Sequence, residues 1–202
     1  MTTTVGVPKM ITGQQITGEY RLKGHHEMVA AFNFQPDSSF EFYFIYGAVD
    51  RMAKGKYSIR DKQIFFRSDK TPGRDFTIRK QSVQGKGTTI KITESNPALQ
   101  ANVLCIFMKG TERDSIYSNN NGLAFSSLTN CDSIIAMHTL FPDEFSIIKS
   151  DASNKNDFFE LSLNPSLAEL SFKNFILTID GESLSGSLPY LFESEVAVFV
   201  RQ

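Results

Sequence analysis

The densest group of metal-ligating side chains in this 202-residue chain is the tripeptide His25-His26-Glu27. Adjacent residues of a β-strand point to opposite faces, so both histidines could bind one metal ion only from a turn. The chain has one further histidine, His138, whereas a structural zinc site takes four ligands. We therefore interpret the tripeptide as a polar turn between two strands, and we expect no metal and no cofactor.

Nucleophilic groups are present, but none stands in a catalytic pattern. Gly186-Ser187 lacks the Gly-x-Ser-x-Gly turn that exposes a serine nucleophile. Cys105 and Cys131 each lie in an apolar run, where a thiol is usually packed rather than activated. The adjacent acids Asp143-Glu144 are typical of a solvated turn. We expect no enzymatic activity, and the sequence leaves open whether the two cysteines form a disulfide.

An aromatic strand is the clearest candidate for a binding surface. Residues 40–46 read FEFYFIY, so that aromatic side chains repeat along one face. Gly47 then either marks a bend, with Asp50 and Arg51 at a strand end, or lets a ligand approach the backbone closely. In the second case an aromatic lining would lead to a charged mouth. The candidate ligand-binding residues are Phe32, Phe34, Phe42, Phe44, Tyr46, Asp50 and Arg51.

The composition, with 41% hydrophobic and 21% charged residues, is that of a soluble globular protein, and no apolar run is long enough to span a membrane. Residues 1–94 contain 15 basic and 9 acidic residues, whereas residues 95–202 contain 6 and 13. This asymmetry predicts two units whose surfaces are simply solvated, dock by charge, or meet a charged partner. The cations of the first half are scattered without an RNA-binding motif, so we expect no nucleic-acid partner.

Apolar residues recur with a period of two along nearly the whole chain, which predicts strands rather than helices. The first half divides into seven short strands between turn-forming segments such as residues 36–39 and 84–87. Polar residues 94–97 separate the two halves. We therefore predict an all-β protein with an antiparallel barrel in residues 1–95 and a smaller β-sandwich in residues 96–202.

Several short segments resemble a group of uncharacterised bacterial two-domain β proteins. The pattern Gly-x-Tyr-x-Leu-x-Gly over residues 18–24, Tyr-Gly-Ala-x-Asp over 46–50 and Gly-x-Tyr over 55–57 carries that resemblance. The first half is also similar to lipocalin-like barrels. Residues 118–125, SNNNGLAF, resemble a hairpin of transthyretin-like carboxypeptidase regulatory domains. These resemblances imply a lipocalin-like barrel followed by a transthyretin-like sandwich in a bacterial, often exported protein, and they supply no catalytic residue.

On these grounds we expect non-catalytic binding of a small apolar or amphipathic ligand in the barrel or in a groove between the domains. The alternative is a protein interaction module, an adaptor or inhibitor, that uses strand edges or the acidic second domain. The N-terminal residues show no signal-peptide pattern, which favours a cytoplasmic protein, or a periplasmic or exported one if a leader has been removed.

Overall fold

Strands form where apolar and polar residues alternate, and turn-forming residues end them. The computed structural model describes residues 16–47, 49–188 and 196–202, so most of the N-terminal stretch behind the localisation expectation lies outside the described residues. The described residues also form a short helix, α1 (Pro97–Gln100), and a 3-10 turn, Pro165–Ala168. The strands are β1 (Gly18–Leu22), β2 (Met28–Phe34), β3 (Ser39–Tyr46), β4 (Val49–Arg60), β5 (Gln63–Ser68), β6 (Phe76–Ser82), β7 (Thr88–Thr93), β8 (Val103–Lys109), β9 (Glu112–Tyr117), β10 (Leu123–Ser126), β11 (Ser133–His138), β12 (Ser146–Lys149), β13 (Phe158–Leu163), β14 (Ile176–Asp180), β15 (Ser183–Ser187) and β16 (Val196–Arg201).

Eight of these strands close into a barrel in the order β1-β16-β15-β14-β5-β4-β3-β2. Neighbours in the barrel are consecutive in the sequence, except that β5 is followed by β14 and that β1 pairs with β16 to close the barrel. The antiparallel register places Phe32 of β2 opposite Phe42 of β3 and Tyr20 of β1. The barrel and the further sheets confirm the predicted all-β class.

The other eight strands form two four-stranded sheets, in the orders β10-β7-β13-β6 and β12-β11-β8-β9. All pairings are antiparallel except that of β13 with β7. The inner faces of the two sheets share one hydrophobic core. Its buried members are Phe76, Ile90, Ile92, Val103, Cys105, Phe107, Ala124, Cys131, Ile134, Ala136, Ile148, Phe159 and Leu161.

The chain divides into two compact units, but not at residue 95. The first unit comprises the residues up to Val49, Lys54–Arg67 and Asn174–Gln202, and the second comprises Asp50–Ala53 and Ser68–Lys173. The barrel therefore takes its last three strands from the carboxyl end of the chain, and the second unit is largely an insertion between β5 and β14. The strands β6 and β7, which the sequence assigns to the barrel, pair with β13 and β10 instead. Alternation identifies a strand but not its partner, which explains the difference.

Candidate functional site

The barrel side chains predicted to bind a ligand lie inside the barrel and pack against one another. Phe32, Phe34, Phe42 and Phe44 are all at most 6% exposed. The Phe32 ring centroid lies 4.6 Å from that of Phe42, 5.7 Å from that of Phe34 and 5.2 Å from that of Phe66. These are contact distances for aromatic rings, so Phe32, Phe34 and Phe42 form core packing in this structure, and Phe44 is buried.

The other predicted site residues of this segment are exposed. Tyr46, predicted to line the cavity, ends β3 with 46% of its surface exposed, and Asp50, predicted at the mouth, is exposed at the start of β4. Gly47 lies in the turn after β3 with φ at +59°, a value that favours glycine. This geometry fits a bend in the chain, one of the two interpretations of Gly47.

Arg51 belongs to the second unit and is only 4% exposed. Its guanidinium donates hydrogen bonds to the carbonyl oxygens of Ala168 at 3.1 Å, Pro142 at 3.3 Å and Glu169 at 3.4 Å. The guanidinium carbon also lies 5.7 Å from the centroid of the Phe141 ring. Burial lowers the pKa of Arg51 from its ordinary value, against the opposing effect of nearby carboxylates. Arg51 thus acts as a buried cation.

Arg51 belongs to what we call the buried charge cluster. The cluster also contains Lys70 and the two carboxylates that act on Arg51, Asp75 and Asp143. The Lys70 ammonium lies 2.9 Å from Asp75 Oδ1 and 3.2 Å from Asp143 Oδ2, and these three side chains are at most 1% exposed. It also donates a hydrogen bond to the Glu169 carbonyl at 2.7 Å. Two cations and two anions make the cluster neutral overall, as a buried set of charges requires.

The carboxylates of the cluster are incompletely satisfied. Ser171 donates a hydrogen bond to Asp143 Oδ2 at 2.7 Å. Within the described residues, Asp143 Oδ1 and both Asp75 side-chain oxygens have no hydrogen-bond partner, although Asp75 Oδ1 lies within ion-pair distance of Lys70. Burial raises the pKa of Asp75, against the opposing effect of Lys70. Unsatisfied buried oxygens are uncommon in native proteins and call for a chemical explanation.

A tight turn brings Lys70 and Asp75 together. Between them stands Thr71-Pro72-Gly73-Arg74, and Gly73 adopts φ of +65°, which a glycine tolerates. A Cβ atom at Gly73 would lie only 2.8 Å from the Phe145 carbonyl oxygen. The Asp75 amide donates a hydrogen bond to Ser146 Oγ at 3.1 Å, which holds the end of the turn against β12. The sequence identifies the turn but gives no sign of the distant Asp143.

A second feature that sequence reasoning missed is an apolar surface on the sheet β12-β11-β8-β9. Strand β8 reads VLCIFMK, and its residues alternate between the shared core and the opposite side of the sheet. The register places Ile135 opposite both Ile106 and Ile147, and Leu104 opposite both Met137 and Tyr117. We call this surface the outer apolar face; it consists of Leu104, Ile106, Met108, Tyr117, Ile135, Met137 and Ile147.

Two side chains of the outer apolar face are open to solvent, one at each edge strand of the sheet. Ile147 on β12 is 65% exposed and Tyr117 on β9 is 60% exposed, whereas Ile106 at the centre is 4% exposed. Among the residues that pair directly with members of the outer apolar face, the one charged residue is Arg113, opposite Met108. Antiparallel sheets usually present polar side chains to water, so an apolar outer face marks a candidate interaction surface.

A cleft of about 540 Å³ borders this face at strand β12. Its lining is mixed: Pro72, Phe145 and Ile147 are apolar, whereas Arg74 and Glu144 are charged. Ile147 therefore belongs both to the cleft and to the outer apolar face. A segment lying on the face would find a depression at the β12 edge.

The charge asymmetry of the two sequence halves disappears in the spatial units. The first unit contains 9 basic and 9 acidic residues, and the second contains 12 and 13. Acidic residues late in the sequence are mixed with basic residues from the segment after residue 68. Neither unit is therefore acidic enough to select a partner by net charge.

The thiols and His138 lie in the core of the second unit rather than in a reactive arrangement. Cys105 and Cys131 are free and buried, and burial raises the pKa of Cys105 to about 12. His138 is fully buried, accepts a hydrogen bond from the Leu140 amide at Nδ1, and donates one from Nε2 to the Leu99 carbonyl. Within the described part of the chain, no three His, Cys, Asp or Glu side chains cluster as a metal site.

Among the residues that the structure describes, no helix is both long and apolar enough to cross a membrane. Comparison with family models, curated proteins and solved structures gave no match to this chain.

Proposed function

We propose that this protein is a non-catalytic interaction module, whose outer apolar face binds an amphipathic helix of a partner protein. The observation that supports this is the set of seven apolar side chains on the outward side of one sheet. Each would gain about 25 cal/mol for every square ångström of apolar surface removed from water. An exposed sheet face of this kind is the surface that helices cover in layered proteins.

The size of the face supports a helix rather than a second globular copy. Four strands about 4.8 Å apart and about five residues of about 3.4 Å each give about 14 by 17 Å, or about 240 Å². A stable interface between globular proteins takes about 800 Å² from each partner. A helix with its side chains is about 10–12 Å wide, so that one helix of about three turns covers the face.

The charges and shape at the rim define the partner further. Arg113 stands at one corner of the face, so an acidic residue on the helix would meet it there. The cleft beside Ile147 would accept a large apolar side chain from the same helix. The partner helix therefore carries an apolar stripe, one bulky anchor residue and an acidic residue.

The competing proposal is a small apolar ligand in the barrel. The contacts among Phe32, Phe34 and Phe42 favour the interaction module, because a ligand there would have to displace rings that already touch.

For the folds, we propose a lipocalin-like barrel on the ground that its eight strands meander in sequence order. We also propose a transthyretin-like second unit, because two four-stranded sheets share one core.

The test is selection of binding peptides against the full chain from a library of helical peptides varied along one face, followed by fluorescence anisotropy with the selected peptides. Tyr117→Glu and Ile147→Glu should each weaken binding at least tenfold, because each buries a charge against the helix. The matched control is Val83→Glu, since Val83 is 64% exposed in the same unit but lies outside the face.

Equal binding to all three variants would contradict the proposal. So would failure to select any peptide with an apolar stripe. Native mass spectrometry of the purified protein separates the competing case, because a retained apolar small molecule that is lost on denaturation would support the barrel as the site.

A further inference from the structure

The buried charge cluster of the second unit brings an amine nitrogen into contact with two carboxyl groups where water is excluded. The Lys70 nitrogen lies 2.9 Å from an oxygen of Asp75 and 3.2 Å from an oxygen of Asp143. These three side chains are at most 1% exposed. We infer that Lys70 and Asp75 condense to an intramolecular amide, with Asp143 positioned as the proton carrier.

The reaction balances without any added reagent. The Lys70 ammonium gives one proton to the Asp75 carboxylate, and the free amine attacks Cγ of the resulting acid. As the bond from Nζ to Cγ forms, Asp143 takes a second proton from the nitrogen. Asp143 then gives that proton to the Asp75 hydroxyl, the bond from Cγ to this oxygen breaks, and the oxygen leaves as water. An ammonium and a carboxylate thereby become one amide and one water molecule, with no change of oxidation state.

Asp75 rather than Asp143 is assigned as the acceptor on three observations. Its oxygen is the nearer of the two to the Lys70 nitrogen, and apart from Lys70 no described residue donates a hydrogen bond to either of its oxygens. Asp143 is held by the Ser171 hydroxyl at 2.7 Å. Burial also raises the pKa of Asp75, which favours the protonated acid that an amine can attack.

Electrostatics favour the condensed product. Before the reaction the cluster contains two cations and two anions without contact with bulk water, and each buried charge carries a desolvation penalty. The amide removes one charge of each sign and leaves Asp143 with Arg51, whose guanidinium is held by three carbonyl oxygens. The product also removes one of the Asp75 oxygens that lack a hydrogen-bond partner.

The protein holds the reacting groups in a fixed arrangement. The Glu169 carbonyl accepts a hydrogen bond from the Lys70 nitrogen at 2.7 Å, and the Pro72-Gly73 turn returns the chain so that Asp75 faces Lys70. Fixed proximity of this kind corresponds to an effective concentration of about 10⁵ M or more for the reacting group. The bond would close a ring over residues 70–75.

The decisive experiment is the intact mass of the purified full chain under denaturing conditions. We expect a mass lower than that of the sequence by one water molecule, in a stoichiometric fraction of the protein. Protease fragments should then contain residue 70 joined to residue 75, with trypsin unable to cleave after Lys70. Because the wild-type protein carries the measurement, the result does not depend on the folding of any variant.

Two variants check the assignment. Lys70→Arg keeps the cation but lacks an amine that can form this amide, so its mass should equal that of its sequence. Asp143→Asn lacks the proton carrier and should also keep its full mass, or lose water far more slowly. A wild-type chain of full mass would overturn the inference. A bond to Asp143 would overturn the choice of acceptor, and water loss that persists in Lys70→Arg would identify a cyclic imide instead.

Discussion

Phe32 and Phe42 lie directly opposite each other on neighbouring barrel strands, with their ring centroids 4.6 Å apart. Both side chains are at most 2% exposed, so their main role in this structure is to fill the barrel. The Phe32 ring also contacts Phe66 and Phe199, at 5.2 Å and 5.0 Å. Removal of this one ring would therefore open a cavity at the centre of the barrel.

We predict that Phe32→Ala lowers the free energy of unfolding by about 3–5 kcal/mol, the usual loss for a buried phenylalanine. Urea denaturation measures this loss, with Val196→Ala as the barrel control. Val196 is 67% exposed, so its truncation should change stability by no more than about 0.5 kcal/mol. If Phe32→Ala instead kept its stability and lost a bound small molecule in native mass spectrometry, the ring would line a ligand cavity.

The buried charge cluster predicts a strong response to a single substitution. Lys70→Met leaves Asp75 and Asp143 with Arg51 as their one cation, so we expect a loss of about 3–5 kcal/mol in the free energy of unfolding. Lys70→Met combined with Asp75→Leu should recover most of that loss, because the remaining charges are balanced again.

The matched control for this prediction is the exposed ion pair between Lys173 and Glu144, at 3.2 Å in the same unit. Since the Lys173 side chain is 57% exposed, Lys173→Met should cost less than about 1 kcal/mol. Urea denaturation of the four proteins decides the matter. Equal losses for Lys70→Met and Lys173→Met would show that the cluster is hydrated rather than buried.

Gly73 is predicted to tolerate no side chain, for two separable reasons. Both Gly73 and Gly85 have positive φ, so alanine at either position should cost about 1 kcal/mol of backbone strain. Only at Gly73 would the Cβ atom also lie 2.8 Å from the Phe145 carbonyl oxygen; at Gly85 nothing lies within 4 Å. Thermal melting should therefore show a larger drop for Gly73→Ala than for Gly85→Ala, and equal drops would contradict the close approach.

Alternation was sufficient to predict the all-β class and the inward direction of Phe32 and Phe42, because the period of two is a local property of a strand. It was insufficient for the boundary between the units. The strands β6 and β7 look like continuations of the barrel in the sequence, and only long-range pairing with β13 and β10 separates them from it. Closure of the barrel requires β14–β16, which lie beyond the whole second unit.

The candidate sites were harder to predict for a related reason. The Pro-Gly pair between Lys70 and Asp75 predicts a turn, but the charge cluster also requires Asp143 and Arg51, which the fold alone brings near. Strand β8 reads VLCIFMK, so its residues are apolar on both faces, but a sequence does not say whether another element covers the second face. The net charges of the two sequence halves do not predict those of the two spatial units, because the second unit combines basic and acidic segments.

His138 is fully buried in the second unit. Its Nδ1 accepts a hydrogen bond from the Leu140 amide and its Nε2 donates to the Leu99 carbonyl, so both nitrogens are satisfied in the neutral ring. Burial is the main reason that the pKa of His138 lies below its ordinary value of 6.5. The unfolded chain therefore binds a proton at this residue at a higher pH than the folded protein does.

It follows that the contribution of His138 to stability is complete above about pH 6.5 and is lost as the pH falls through the lower, folded-state pKa. We predict that the free energy of unfolding of the wild-type protein decreases between pH 7.5 and pH 5.5, and that His138→Gln makes this decrease smaller, because glutamine does not titrate. Urea denaturation of the wild-type protein and of His138→Gln at the two pH values measures it. An unchanged slope in His138→Gln would mean that the ring is protonated in the folded protein as readily as in the unfolded chain.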